Sequence, residues 1–130
     1  MAMKYLTRKW VKPEDLNPNG SLFGGSLLKW IDEEAAIYTI TMLESPYVVT
    51  KLMSEINFIS SARAGDVLEM GMKIKKLGRS SITLKCEVRN IMTHHTIVKI
   101  EEIVFVNLDS SGFPAAHGKR LEDLHSKEEG

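Results

Sequence analysis

Two hydrophobic periods meet near Pro46, and their meeting limits the folds open to this chain. From Leu22 to Leu43, Leu27, Leu28, Ile31, Ala35, Ala36, Thr39, Ile40 and Leu43 recur three and four residues apart, the broad apolar stripe of a helix. These 22 residues would span roughly 33 Å at the rise of an α-helix. Ser45-Pro46 stops the run. Beyond it the period falls to two. Val48, Thr50 and Leu52 share one face, continuing through Ile56 and Phe58. Leu68, Met70, Met72 and Ile74 alternate with Glu69, Gly71, Lys73 and Lys75, and Ile82, Leu84, Cys86 and Val88 with Thr83, Lys85, Glu87 and Arg89. A fourth run covers 97–108, where Glu101-Glu102 breaks the alternation as a bulge does. The connectors at 64–66, 77–79 and 92–95 are short and polar, which implies an antiparallel meander.

Ahead of the helix, residues 4–12 carry Tyr, Thr, Trp and Val without a helical stripe and read as a strand. Pro13 to Ser21 is rich in Pro, Asn, Asp and Gly and reads as a loop. The order is then strand, long helix, four strands. An apolar helix needs an apolar sheet face, and ten-residue strands match its length. The economical solution is an α+β fold: a curved antiparallel sheet of about five strands wrapped around one long central helix, the layout called a hotdog fold. No repeat or linker divides the chain. Residues 1–118 read as one domain and 119–130 as a polar tail, either a short helix or a frayed end.

Charge and cysteine usage narrow the function classes. Lys plus Arg is 17 and Asp plus Glu is 17, a balance that argues against a general nucleic-acid binder. The lone thiol, Cys86, forms no internal disulfide and no clustered-cysteine zinc site, and alternates with apolar neighbours as a core residue does. No metal site is expected. The first ten residues lack the apolar stretch of a signal peptide, and no window approaches a membrane span, so a reducing cytoplasm is the expected compartment. A 130-residue chain is also small to enclose a large substrate alone.

The segment that carries chemistry runs from Asn17 to Ala36. Gly24-Gly25 opens the helical stripe although glycine is a poor helix former. A glycine there lets a ligand approach the backbone, and first-turn N–H groups, aided by the helix dipole, can hold an oxyanion. Tight packing of loop against helix is the competing explanation. Asp32 falls beside Leu28, Ala35 and Ala36, within the stripe, while Glu33 and Glu34 fall on a more solvated side. A carboxylate on an apolar face is paired, protonated or functional. Either it acts as a general base, or it sits at the margin of the stripe or pairs with Arg63 or another strand cation. Gly25 and Asp32 are seven residues apart, two turns, hence on one face about 10 Å apart.

The segment resembles the hotdog-fold acyl-CoA thioesterases, specifically the cytosolic acyl-CoA hydrolase branch. Their pattern is an Asn, two residues, Gly, two residues, Phe or His, Gly-Gly, then six residues to an Asp or Glu. Asn17, Gly20, Phe23, Gly24, Gly25 and Asp32 fit it. So do Thr50, the Ala64-Gly65-Asp66 turn, the Gly78-Arg79-Ser80-Ser81 turn, and Val104-Phe105-Val106 before Asp109-Ser110-Ser111-Gly112. The resemblance covers about residues 5–118. It implies hydrolysis of acyl-CoA with the thioester carbonyl at the helix N-terminus, its oxygen polarised by the Gly25 N–H. Asp32 would act as general base or as nucleophile, Asn17 from another subunit would orient water or thioester, and Thr50 would stand near the attacking water. Phe23 and Gly24 would line the substrate. A family of this kind implies dimers that associate further into tetramers or hexamers with shared sites. No cofactor is implied beyond the coenzyme A of the substrate.

Coenzyme A brings phosphates, and these call for local cations even on a neutral protein. Candidates are Arg63, Lys75, Lys76, Arg79, Arg89, Lys119 and Arg120, with Arg79, Ser80 and Ser81 in a strand-connecting turn the strongest set. Each is alternatively a solvated surface charge. His94-His95 and His117 carry no motif, and the seven Met residues are adaptable packing. A hotdog hydratase or dehydratase would need a helix His, which is missing. A non-catalytic acyl-CoA-binding regulator and a structural oligomerising domain remain as readings from other classes.

Overall fold

A computed structural model describes residues 2–129. Met1 and Gly130, the outer ends of the expected domain and tail, lie outside the described residues. Strand β1 (Lys4–Trp10) leads through a single 3-10 turn at Pro13–Asp15 to helix α1 (Gly24–Leu43). Strands β2 (Val48–Phe58), β3 (Val67–Leu77), β4 (Ser81–Asn90) and β5 (Thr96–Asn107) follow, and helix α2 (Leu121–Glu129) closes the chain. The five strands form one antiparallel sheet in the order β1-β3-β4-β5-β2. A central helix on an antiparallel sheet is the layout expected from the sequence.

The details depart from expectation in three places. Helix α1 starts at Gly24, not Leu22, and has 20 residues. Leu22 is held out of it by an N–H bond to the Ala62 carbonyl at 2.8 Å and a bridge to Leu16. The meander covers only β3, β4 and β5; β2 crosses to the far side of β5 and becomes an edge strand. Within β2, Thr50 pairs with Phe105 and Leu52 with Val104, leaving Lys51 as an extra residue. This bulge reverses the phase, so Met53, not Leu52, follows Thr50 on the inner face opposite buried Ile103. The bulge expected at Glu101-Glu102 is present: Leu84 pairs with Ile103 and Cys86 with Ile100, so Lys85 faces two residues.

The core lies between α1 and the sheet. Leu27, Ile31 and Ala35 on the helix are fully covered, together with Leu68, Ile82, Leu84, Ile100, Ile103 and Phe105. Each such large side chain contributes roughly 1.5–3 kcal/mol by burial. Tyr38 is buried and Ile40 exposed, the reverse of the expected stripe at those positions. Glu44 ends α1 in the left-handed conformation, two residues before Pro46. Helix α2 inserts Leu124 into the same core, and Lys119 and Lys127 reach back to Glu44 at 2.9 and 3.6 Å. These cations hold the Glu44 carboxyl below the usual carboxylate range. No helix of the described residues is long and apolar enough to cross a membrane.

Candidate active site

The start of α1 is set by its entry loop. Asn17 organises that loop: its Oδ1 accepts from the N–H groups of Asn19 at 2.9 Å and Ser21 at 3.3 Å, and its Nδ2 donates to Ser21 Oγ at 3.1 Å. Its backbone N–H bonds the Ser21 carbonyl at 2.8 Å, and Gly20 takes a φ of 82° to close the turn. Phe23 then caps the helix position-wise but offers no side-chain acceptor. The N–H groups of Gly24, Gly25 and Ser26 lie in the first turn, where no intrahelical carbonyl reaches them.

Both glycines sit beneath aromatic rings. A Cβ on Gly24 would stand 3.6 Å from the Phe58 ring, and one on Gly25 3.1 Å from the Phe23 ring. The half-exposed Phe23 ring therefore covers the Gly25 backbone at close range. Beside this turn, Gly24, Leu27, Phe58, Ser61 and Ile97 line a cleft of about 300 Å³.

Two turns further along α1, Asp32 is half-buried and accepts the Thr50 hydroxyl proton on Oδ1 at 2.6 Å. Asp32 is thus partnered at the margin of the stripe by a hydroxyl of β2, and among the described residues it has no ion pair with Arg63 or another cation. Among the described residues the carboxylate's other oxygen, Oδ2, has no hydrogen-bond or ion-pair partner. Glu34 faces the opposite flank, where it accepts from Thr7 Oγ1 at 2.7 Å and pairs with Lys9 at 3.9 Å. Only Glu33, of the two neighbours expected in solvent, is exposed.

The expected residues therefore assemble in part. Gly24, Gly25 and Phe23 form the helix start, and Asp32 with Thr50 forms a pair on the β2 flank. Asn17 makes its side-chain hydrogen bonds within its own loop. Of the candidate cations, Arg89 is spent on Glu69 and on the Tyr5 ring, 3.9 Å from its centroid. Lys119 is spent on Glu44, and Arg120 on Glu122 and Asp123. Arg63 and Arg79 are exposed and have no ion pair among the described residues.

The turn between β3 and β4 is braced. Ser80 accepts from the Asn107 N–H at 2.7 Å, and the Ser81 carbonyl lies 3.2 Å from His117 Nε2. His117, unremarkable in sequence, thus ties the post-β5 segment to that turn. A Cβ on Gly78 would collide with Ser81 Oγ in its present rotamer, and the Gly78 N–H bonds the Ser81 carbonyl at 2.9 Å across the turn. Ser80 and Ser81 line a shallow cavity of about 590 Å³ together with Lys51. Sequence reasoning passed over Lys51; the signal was the paired apolar steps Val48-Val49 and Leu52-Met53 around it, which betray a phase slip. Cys86 is fully buried, and burial pushes its thiol up to about 12. Among the described residues no group of three or more His, Cys, Asp or Glu gathers as a metal site.

The chain is similar in sequence and in fold to known proteins. The family model for the thioesterase superfamily matches residues 19–103. A protein of Haemophilus influenzae named as an uncharacterized acyl-CoA thioester hydrolase is 37% identical over 83 residues, 64% of this chain and 53% of that one. The chain spans between half and two-thirds of the length of the curated relatives it matches. Among solved structures, a hexameric broad-specificity acyl-coenzyme A thioesterase superposes with a TM-score of 0.84 at 26% identity, covering 97% of this chain and 95% of that one. A hexameric thioesterase from Yersinia pestis gives 0.82 at 27% identity, covering 90% and 97%.

Proposed function

The chain belongs to the thioesterase superfamily, and on that premise we propose that it hydrolyses acyl-CoA thioesters to a free carboxylic acid and coenzyme A. The observation that carries the reading is Asp32, bonded to Thr50 and standing two turns from the uncapped Gly24-Gly25 helix start. The thioester oxygen accepts the Gly25 N–H, where the helix dipole favours developing negative charge. Asp32 Oδ2 takes a proton from water as the water oxygen attacks the carbonyl carbon, or attacks that carbon itself to give a mixed anhydride that water then opens. The sulfur leaves with the bonding pair and is protonated to the thiol. The Thr50 hydrogen bond to Oδ1 supports a role in holding the carboxylate while Oδ2 reacts. The scheme uses no cofactor.

Asn17 serves the site of another subunit. Its Nδ2 donates to Ser21 in its own loop and keeps a second N–H for a carbonyl or a water. Self-association is supported by β2, an edge strand whose backbone is paired on one side only. Val49 and Leu52 on that strand are each about half exposed, apolar side chains of the kind that a second copy covers. Among the assemblies expected, the solved relatives described as hexameric favour a hexamer. We assign the reaction to a reducing cytoplasm, which suits the unpaired buried thiol of Cys86.

The test is release of free thiol from short, medium, long and aromatic acyl-CoAs by the purified chain. Turnover on at least one class is expected. No turnover above background on all four would sink the proposal, and tight acyl-CoA binding in that case would favour the non-catalytic reading.

A further inference from the structure

Pairing of two β2 edges about a twofold axis closes at two copies, so the hexamer proposed above needs a second contact surface on each chain. Exposed apolar side chains show where such a surface is available. Val49 and Leu52 belong to the β2 edge, Phe23 and Phe58 to the helix start, and Met92 and Phe113 to loops. Leu6 on β1 and Ile37 on α1, 73% and 55% exposed, stand apart from these, on the flank of the helix that Glu34 faces. Both line one cavity of about 140 Å³ between β1, α1 and β3, with Met42, Met70 and Met72 in its walls. Ile40, also exposed, follows Ile37 by one turn of α1.

An apolar cavity of roughly 150 Å³ takes up a benzene molecule, so this one has room for an aliphatic side chain. Methionine walls adapt to the shape that enters. Leu6 is free to serve as that side chain: Tyr5 pairs with Gly71 and Thr7 with Met70, which leaves Leu6 an extra residue with no opposite number on β3. The lining also carries both signs of charge. Lys4 has no ion pair among the described residues, and Glu34 meets Lys9 only at 3.9 Å. A surface with an apolar knob, an apolar hole and one charge of each sign is complementary to itself under a twofold rotation.

We propose that this flank of β1 and α1 is the contact between dimers, covered by the same flank of a second copy. Leu6 of each copy enters the cavity of the other, and Lys4 of each faces Glu34 of the other. Two different twofold contacts, this one and the β2 edge, then alternate around a closed ring of six. The inference rests on the oligomeric reading above and is independent of hydrolysis.

Size-exclusion chromatography with light scattering, over a concentration series of the full chain, tests it. Wild type should run as a hexamer. Leu6→Asp and Ile37→Asp should each run as a dimer, a threefold fall in mass, because each would bury a carboxylate against an apolar wall. Both positions are exposed in the single chain, so circular dichroism should not change. Leu6→Met should stay hexameric. Folded aspartate variants that remain hexamers would overturn this surface alone. Variants that fall to monomers would assign the surface to the dimer contact and overturn the proposal. A dimeric wild type would overturn the hexamer and this surface with it.

Discussion

Thr50 Oγ1 stands 2.6 Å from Asp32 Oδ1 and donates its proton there, joining the edge strand β2 to the third turn of α1. The two residues are 18 apart in sequence. The hydrogen bond occupies one carboxylate oxygen; in the proposed reaction Thr50 is the support and Asp32 the reactive group. Thr50→Val keeps the β-branched shape and removes the donor. It is expected to lower kcat by about 10–100-fold, the cost of one charge-assisted hydrogen bond in the transition state, with KM little changed. Thr50→Ser should recover most of the rate. Steady-state kinetics on the best acyl-CoA reads both.

Gly25 separates activity from stability. Alanine is a better helix residue by about 1 kcal/mol, and the Phe23 ring that its Cβ would approach at 3.1 Å is half exposed and free to swing. Gly25→Ala is therefore expected to leave the melting temperature unchanged or raised. If the Gly25 N–H receives the thioester oxygen as proposed, the same methyl crowds it, and kcat/KM should fall by about tenfold or more. A thermal melt beside the kinetic assay decides it; a lower melting temperature with undiminished rate would assign the glycine to packing.

Sharing of sites between subunits predicts complementation. Asn17→Asp keeps an oxygen for the Asn19 and Ser21 N–H groups, so the loop stays folded, but it removes the amide donor. Asn17→Asp and Asp32→Ala should each be inactive alone. Mixed by denaturation and refolding, they should recover about a quarter of wild-type activity, because half the dimers are mixed and each mixed dimer has one intact site. Absence of recovery, with refolded wild type active, would contradict a shared site.

Cys86 gives a pH dependence of known sign. Burial, aided by Glu87, raises its thiol from 9.0 to about 12. The stabilisation is fully present below pH 9, where the unfolded thiol is still protonated, and is lost as pH rises towards the folded value. Urea midpoints should therefore fall between pH 8 and pH 10 more steeply in wild type than in Cys86→Val. Native protein at pH 8 should also resist iodoacetamide until urea exposes the thiol.

The sequence disclosed the fold through periodicity, because burial in α1 and in β3 to β5 is continuous enough to write itself into residue type. It misplaced features decided by long-range backbone pairing. Leu22 is apolar and reads as helical, yet the Ala62 carbonyl captures its N–H. Leu52 fits the alternation, yet the extra residue Lys51 turns it outward. Gly24, Gly25 and Asp32 stood out by chemistry, since glycines at a helix start and a carboxylate in an apolar stripe are both costly. Their relation to Thr50 did not, because nothing local ties position 32 to position 50; only the resemblance brought Thr50 forward. The cations were the least legible. Whether Arg89 or Lys119 is free depends on Glu69 and Glu44, and those partners are known only once the chain has folded.

Hydrolysis as proposed runs through the Asp32 carboxylate. The most direct measurement is kcat for thiol release from the best acyl-CoA by wild type and by Asp32→Asn, which preserves shape and the Thr50 contact while removing the charge. Loss of a positioned base or nucleophile should lower kcat by at least about 100-fold, with circular dichroism and oligomeric state unchanged. A variant that turns over within a few-fold of wild type would contradict the claim.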